Sequence, residues 1–235
     1  MHLPKKKNRF KKFLRTAGKL FLWMFAAQLF YIILLRWVNP PVTVTQLVSI
    51  IKGNGLKRDY VSYSEMSPEA KLAVMAGEDQ LFPDHNGFDI KAIKLAVKYN
   101  KRHPTKVRGA STISQQVAKN VFLWQGGGYF RKGLEVYFTF MIETFWGKER
   151  ILQMYLNVSE MGKGVFGIQA ASRRYFGKDA KDLTRNEAAQ IAAALPNPVR
   201  LTIKPLSTYV AGRAGNIMRQ MGNLSGDPDI RRLLQ

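Results

Sequence analysis

A mainly α-helical domain behind one membrane-spanning helix is the fold class this sequence predicts, and three observations carry it. Apolar residues recur at spacings of three and four through several runs after residue 66. Two of those runs open on helix-start signals, Ser67-Pro68-Glu69 and Asp89. A single long apolar stretch, Leu20 to Val38, follows a strongly basic start, and no repeat, low-complexity tract or hairpin signal appears anywhere.

The amino-terminal segment comes first. Eight Lys or Arg residues lie between Lys5 and Lys19, and no acidic residue precedes Asp59. Leu20 to Leu35 is apolar except for Gln28, and Trp37 with Val38 extends the run past Arg36. A hydrocarbon core takes about 20 mostly apolar residues as a helix, so residues 20–38 are predicted to span it. The positive-inside bias makes residues 1–19 a basic cytoplasmic tail and puts residues 39–235 across the membrane, with Tyr31 and Trp37 near the outer interface. A cleaved signal peptide is the alternative. The run exceeds a usual signal core, and Asn39-Pro40-Pro41 is a poor cleavage site.

The remaining elements follow in order. Val42 to Ile51 reads as a short extended or helical element. Ser67 caps a helix running to Glu78, and Asp89 caps the next, whose Ile90, Ile93, Ala96 and Val97 keep helical spacing. His103 to Gly109 reads as a loop, Thr112 to Leu123 as a helix, and Gly126 to Gly128 as a break. A longer helix from Tyr129 to Trp146 puts Leu134, Phe138, Met141, Ile142 and Phe145 on one face. Glu149 to Val158, Glu187 to Leu195 and Tyr209 to Met221 complete the set, with Pro196 ending the second of these.

The net charge of +21 bears on partners. About +9 of it remains after the first 58 residues, a balance that suits nucleic acid, anionic lipid or phosphorylated substrates. The anchor argues against nucleic acid. There is no cysteine, which is compatible with export without showing it.

Two segments do not read as core. Glu78 to Asp89 sets two acids at the end of an apolar helix, then packs Phe82, His85 and Gly87 into a short turn. Gly109 to Asn120 is rich in hydroxyls and amides and contains Lys119, and such groups are costly to bury without partners. Ser111 and Thr112 are placed to cap a helix, where amide groups also receive phosphate oxygens. Gln116, Lys119 and Asn120 fall on adjoining sides of that helix, although a solvated face would show the same spacing. Arg131 and Glu135 are one turn apart, which an ordinary surface ion pair would explain. Trp124, Tyr129 and Phe130 flank the glycines in an aromatic-rich segment that would suit a lipid surface.

These segments resemble the first two motifs of the peptidoglycan glycosyltransferases (glycosyltransferase family 51), specifically the monofunctional biosynthetic class. The likeness continues through Arg131 to Glu135, Lys148 to Asn157 and Gly164 to Lys178. Five motifs in order, from about Ser67 to Pro198, are far more specific than any one. The resemblance implies a lysozyme-like α lobe with a small membrane-proximal lobe in residues 39–235, placed on the periplasmic side of a bacterial inner membrane. It implies polymerisation of lipid II and a growing lipid-linked glycan into β-1,4 strands, with release of undecaprenyl diphosphate.

Such a reaction needs a base for the attacking hydroxyl and positive charge around the departing diphosphate more than a proton donor. By resemblance Glu78 is that base and Glu135 the second essential glutamate, assisting the leaving group directly or through a divalent cation. Lys119, Arg131 and Lys132 are expected on phosphate, Gln116 on sugar or phosphate, and Ser111, Thr112 and Asn120 around them. Asp79 is expected to orient the loop and His85 to act as a hydrogen-bonding scaffold, while Lys148, Tyr155 and Asn157 read as structural. No metal-ligand cluster is visible, so Mg²⁺ or Mn²⁺ would be held mainly by substrate phosphates. A basic residue usual in the family is replaced by Leu95, with Lys94 or Lys98 as substitutes. The short span after the fifth motif leaves no room for a transpeptidase domain. A lysozyme-like hydrolase or lytic transglycosylase and a membrane-anchored scaffold are the alternatives; other cell-wall or division proteins stand as open partner classes.

Overall fold

The computed structural model describes residues 6–105 and 108–235. The first five residues of the basic tail, and Lys106 and Val107 of the loop expected after His103, lie outside the described residues. The chain divides into two compact units after Val38.

The first unit is one helix, α1 (Lys6–Leu34). Its stretch Phe10–Leu34 is long and apolar enough to cross a membrane, with mean hydropathy 1.7, and side chains such as Leu22 and Trp23 are exposed. The helix begins inside the basic tail rather than at Leu20, because Lys and Arg are good helix formers and no Pro interrupts them. It gives way at Leu34 to a turn that holds Trp37, short of the expected Val38.

The second unit, residues 39–235, is mainly α-helical. It opens with α2 (Val44–Ile51), which resolves the extended-or-helical choice: Thr43 Oγ1 accepts from the Gln46 amide while Gln46 Oε1 accepts from the Thr43 amide. Strand β1 (Lys57–Arg58) and a 3-10 turn at Tyr63–Glu65 lead to α3 (Pro68–Glu78), capped by Ser67 with Pro68 at its first position. Next come α4 (Ile90–Arg102), capped by Asp89, and α5 (Ile113–Phe122), capped by Thr112. Helix α6 (Tyr129–Phe145) starts at Gly128, and α7 (Lys148–Val158) follows a one-turn break. Strands β2 (Glu160–Gly162) and β3 (Val165–Phe166), α8 (Ile168–Phe176), a second 3-10 turn at Ala180–Asp182, α9 (Arg185–Ala194), α10 (Thr208–Leu224) and α11 (Pro228–Leu234) complete the order.

Two helical groups position the site. Helix α3 is buried from Ala70 to Ala76 and packs on α9, α10 and α11. Both α3 and α9 bury several alanines, and a Cβ on Gly77 would lie 3.1 Å from Ile217 Cδ1 of α10 and 3.8 Å from Ala192 Cβ of α9. Lys71 Nζ sits 3.6 Å from the Tyr63 ring centroid and donates to the main-chain oxygens of Leu234 and Gln235, tying α11 to α3. In the other group α5 packs on α6 and α7, with Phe122 stacked on Phe138 at 4.7 Å and Trp146 fully buried beside it. Burying such a side chain is worth about 1.5–3 kcal/mol.

Several elements differ from expectation. The sheet has the order β1-β3-β2, with β1 parallel and β2 antiparallel to β3, so a small hairpin does exist. Strands of two or three residues are too short to show a period of two. Helices α8 and α11 were likewise not expected; α8 is closed by Gly177 in the left-handed conformation. The apolar residues of α4 keep helical spacing yet none is buried, and Leu95 is exposed with them. Leu123 is buried, so only Trp124, Tyr129 and Phe130 of the aromatic segment are exposed.

Gly167, between β3 and α8, has φ +86° and would place a Cβ 2.6 Å from the Asn157 carbonyl oxygen. Gly167→Ala therefore combines a left-handed backbone with a clash against immovable backbone. It is expected to cost about 1–3 kcal/mol, read as a lower urea midpoint with an unchanged slope.

Candidate active site

The site begins where α3 stops. Asp79 leaves helical geometry at φ −160°, and its carboxylate does two things at once. It accepts from the Ile113 amide at 2.9 Å, the first residue of α5, and it pairs with His85 Nε2 at 2.9 Å. A carboxylate at a helix N-terminus is favoured by the aligned peptide dipoles. His85 Nδ1 accepts from the Gly87 amide, and the Gly87 carbonyl accepts from Thr112 Oγ1 at 2.7 Å. Gly87 has φ +86°, and an added Cβ would clash with Thr139 and Glu143.

A second set of contacts locks this turn from α7. Lys148 donates to the His85 carbonyl and to Glu143 Oε1 at 2.8 Å, and lies 4.6 Å from the ring centroid of buried Phe82. Glu143 also accepts from Ser114. Asp79 and His85 therefore act as scaffold, in line with expectation, and Lys148 is structural. Thr112 caps α5 in a reciprocal pair with Gln115. Ser111 does not cap; it is exposed on the wall of the cavity.

Glu78 is held by two groups. Gln116 Nε2 donates to its Oε2 at 2.9 Å, and Arg213 Nη2 donates to its Oε1 at 3.3 Å and to the Gly77 carbonyl at 3.1 Å. Its side chain is 13% exposed. Burial pushes its pKa above the ordinary glutamate value and Asp79 adds to this, while Gln116 and Arg213 act in the opposite sense. Glu78, Gln116, Ser111, Thr112, Asp89 and Arg213 line a cavity of about 650 Å³.

Gln116 separates this cavity from another of about 300 Å³ that includes Lys119, Asn120, Tyr155 and Glu160. Lys119 stands one turn along α5 from Gln116. Burial lowers its pKa, Glu135 and Glu78 oppose that shift, and Arg131 and Lys132 reinforce it, so the ammonium lies within electrostatic reach of both acids. Asn120 is buried, with its carbonyl accepting from Thr45 and its side chain from Gln125.

Glu135 is 2% exposed. Arg131 Nη1 donates to its Oε2 at 2.6 Å and Lys132 Nζ to its Oε1. The spacing that suited a surface ion pair belongs instead to a buried carboxylate between two cations. Arg131 Nε is buried without a partner. Among the described residues no group of three or more His, Asp or Glu side chains is disposed to hold a metal ion.

Three contributors escape sequence reasoning. Arg213 lies on an ordinary amphipathic helix beyond the five motifs. Tyr155, read as core spacing, is buried yet donates to Gln116 Oε1 at 3.4 Å. Glu160 reaches the smaller cavity from a strand too short to recognise. The fourth-motif Asn157 is structural as expected, holding the main chain of Val61 from both sides.

Comparison with known proteins places this arrangement. The Transglycosylase family model matches residues 44–222. The chain is 50% identical over 226 residues to the biosynthetic peptidoglycan transglycosylase of Pseudomonas entomophila, covering 94% of this chain and 95% of that protein. It is 48% identical to the protein of that name from Pseudomonas aeruginosa over 93% of this chain and 97% of the relative. A Shigella boydii relative of the same name is 54% identical over 72% of this chain and 70% of its own length.

A carboxylate whose folded pKa is raised destabilises the fold once it ionises, so the penalty is absent below the ordinary glutamate pKa and complete above the raised one. Glu78→Gln is therefore expected to raise the melting temperature at pH 7, by about 2–4 °C for each kcal/mol relieved. The gap should close as both proteins are taken below pH about 4, followed by circular dichroism.

Proposed function

The chain belongs to the transglycosylase family and is a peptidoglycan glycosyltransferase, and on that premise we propose that Glu78 is the base of glycan polymerisation and that Lys119, Arg131 and Lys132 receive the diphosphate. The acceptor sugar hydroxyl attacks the anomeric carbon of the lipid-linked donor. Its proton goes to Glu78, the bond from that carbon to the diphosphate oxygen breaks, and undecaprenyl diphosphate leaves with the electron pair. The configuration inverts to give a β-1,4 link.

One observation carries this reading: α5 presents Gln116 to a desolvated carboxylate and, one turn further on, Lys119 to the cations gathered on buried Glu135. Desolvation raises the proton affinity of Glu78 toward the working pH, which general-base catalysis requires. On the other side three cations face the single carboxylate Glu135, and burial, with repulsion from Arg131 and Lys132 behind it, lowers the proton affinity of Lys119. A dianionic leaving group would relieve that repulsion as negative charge develops on it. Ser111 and Thr112 would meet the sugar or phosphate from the cavity wall. Asn120 holds the floor of the smaller cavity in place.

A paired-carboxylate hydrolase needs a second carboxylate facing the first. Asp79 is committed to His85 and Ile113, and Asp89 to the α4 cap, so neither is free to serve. Both oxygens of Glu135 are likewise occupied by cations, which does not suit a protein-held divalent ion. Mg²⁺ or Mn²⁺ would enter on the substrate diphosphate, and no step is assigned to it. The apolar helix α1 supports anchoring in the bacterial inner membrane with the second unit periplasmic, beside the lipid tail of its substrate.

Detergent-solubilised protein incubated with labelled lipid II should give polymer, and Glu78→Gln should lower the rate about 10²- to 10⁴-fold. The acidic limb of kcat/KM should lie above the ordinary glutamate range, since the base is active only when ionised and its pKa is raised. Undiminished polymer from Glu78→Gln would sink the assignment. Shortening of preformed glycan in place of polymer would point to a hydrolase.

A further inference from the structure

We infer that Arg213 is the positioning residue of the base, fixing the orientation of the Glu78 carboxylate and keeping it ionised while Gln116 holds its other oxygen. The inference rests on the reading of Glu78 as the base. One guanidinium nitrogen, Nη2, spans the Gly77 carbonyl and Glu78 Oε1. It thus ties the carboxylate to the main chain of the last turn of α3. With Gln116 on Oε2, both oxygens are held, and Glu78, Gln116 and Arg213 all line the same cavity.

The helix contacts are built for this reach. Gly77 allows Ile217, one turn along α10 from Arg213, to lie against α3, where even a methyl group would be at 3.1 Å. Arg213 is then delivered to Glu78 at the same crossing. Its Nε is buried without a partner among the described residues, which costs free energy that an apolar side chain at this position would not incur. That cost argues for a role beyond packing.

The charged and titratable groups facing Glu78 come from each element around it. Asp79 follows it on α3, Lys119 acts from α5, Tyr155 from α7 and Arg213 from α10. α9 contributes Ala192 beside Gly77. Among the described residues Arg213 is the cation in hydrogen-bond contact with Glu78, whereas Lys119 acts through space. Removing its charge leaves burial and Asp79 less opposed.

The test is the pH dependence of lipid II polymerisation by the full chain carrying Arg213→Gln or Arg213→Lys, with kcat and KM resolved. Arg213→Gln should lower kcat about 10- to 100-fold, leave KM within about twofold, and move the acidic limb to higher pH. Arg213→Lys should keep the limb in place because the charge is kept, with kcat below wild type because one ammonium meets both acceptors poorly. Equal loss at every pH with an unmoved limb in Arg213→Gln would overturn the inference. If that variant does not fold, a limb displaced in Arg213→Lys overturns it instead. Failure of the underlying base assignment shows separately, as full polymerisation by Glu78→Gln.

Discussion

Asp79 accepts from His85 and from the first amide of α5, and the geometry of the site follows from that one carboxylate. It stops α3 one residue after Glu78, folds the Phe82–Gly87 turn back on itself, and sets the start of α5 against the end of α3. Gln116 is then within 2.9 Å of Glu78 without any direct contact between the two helices' main chains being needed. The contact also uses charge economically. A buried carboxylate at a helix N-terminus, with an imidazole on its other side, satisfies its lone pairs and offsets the loss of water. Its neighbour Glu78 also has two partners, Gln116 and Arg213, but burial outweighs them and raises its proton affinity. Adjacent acids thus take opposite roles from environment alone.

Glu78 and Glu135 show the same logic at longer range. Glu78 is desolvated and offset by one cation in contact, which leaves it with a raised proton affinity. Glu135 is more deeply buried, yet its two oxygens are each held by a cation. A buried acid so paired serves to hold those cations in place. On the proposed reading, Glu78 accepts a proton on one side of Gln116 and the cations around Glu135 receive negative charge on the other.

Much of this was legible in the sequence, for reasons that can be traced. Helix starts at Ser67, Asp89 and Thr112 are read from side chains that satisfy amides three residues on, a local effect that tertiary structure did not override. Glu78 stood out as an acid ending an apolar helix, and Gln116 and Lys119 because a run of hydroxyls and amides is costly to bury without partners, whereas Arg131 and Glu135 were singled out by resemblance. Their roles came through the family resemblance, since spacing alone left a surface ion pair open for Arg131 and Glu135. Arg213 was invisible for the opposite reason. An arginine on an amphipathic helix is the default, and its contact with Glu78 depends on how α10 crosses α3 at Gly77, which no local pattern encodes. Ser111 read as a cap because a hydroxyl precedes the helix, but Thr112 took that role and left Ser111 facing the cavity. On α4 the period was right and the burial wrong: spacing reports a face, and only the packing of other elements decides whether that face is covered.

The placement of Gln116 and Lys119 on one short helix has a further consequence. Within α5 their separation is set by helical geometry, and α5 is anchored at its start by Asp79 and along its length by α6 and α7. On the proposed reading, the amide that holds the base and one of the phosphate-facing cations are thereby spaced along one helix. Glycosyl transfer to a sugar acceptor makes two demands at once, a proton removed on one side of the anomeric carbon and charge received on the other. On the proposed reading, one helix makes a contact on each of the two sides. Tyr155 supports the same arrangement from beneath, donating to the Gln116 carbonyl oxygen and so directing the amide nitrogen at Glu78. That one amide links the buried fourth motif to Glu78, which gives a residue read as core a place beside the proposed base.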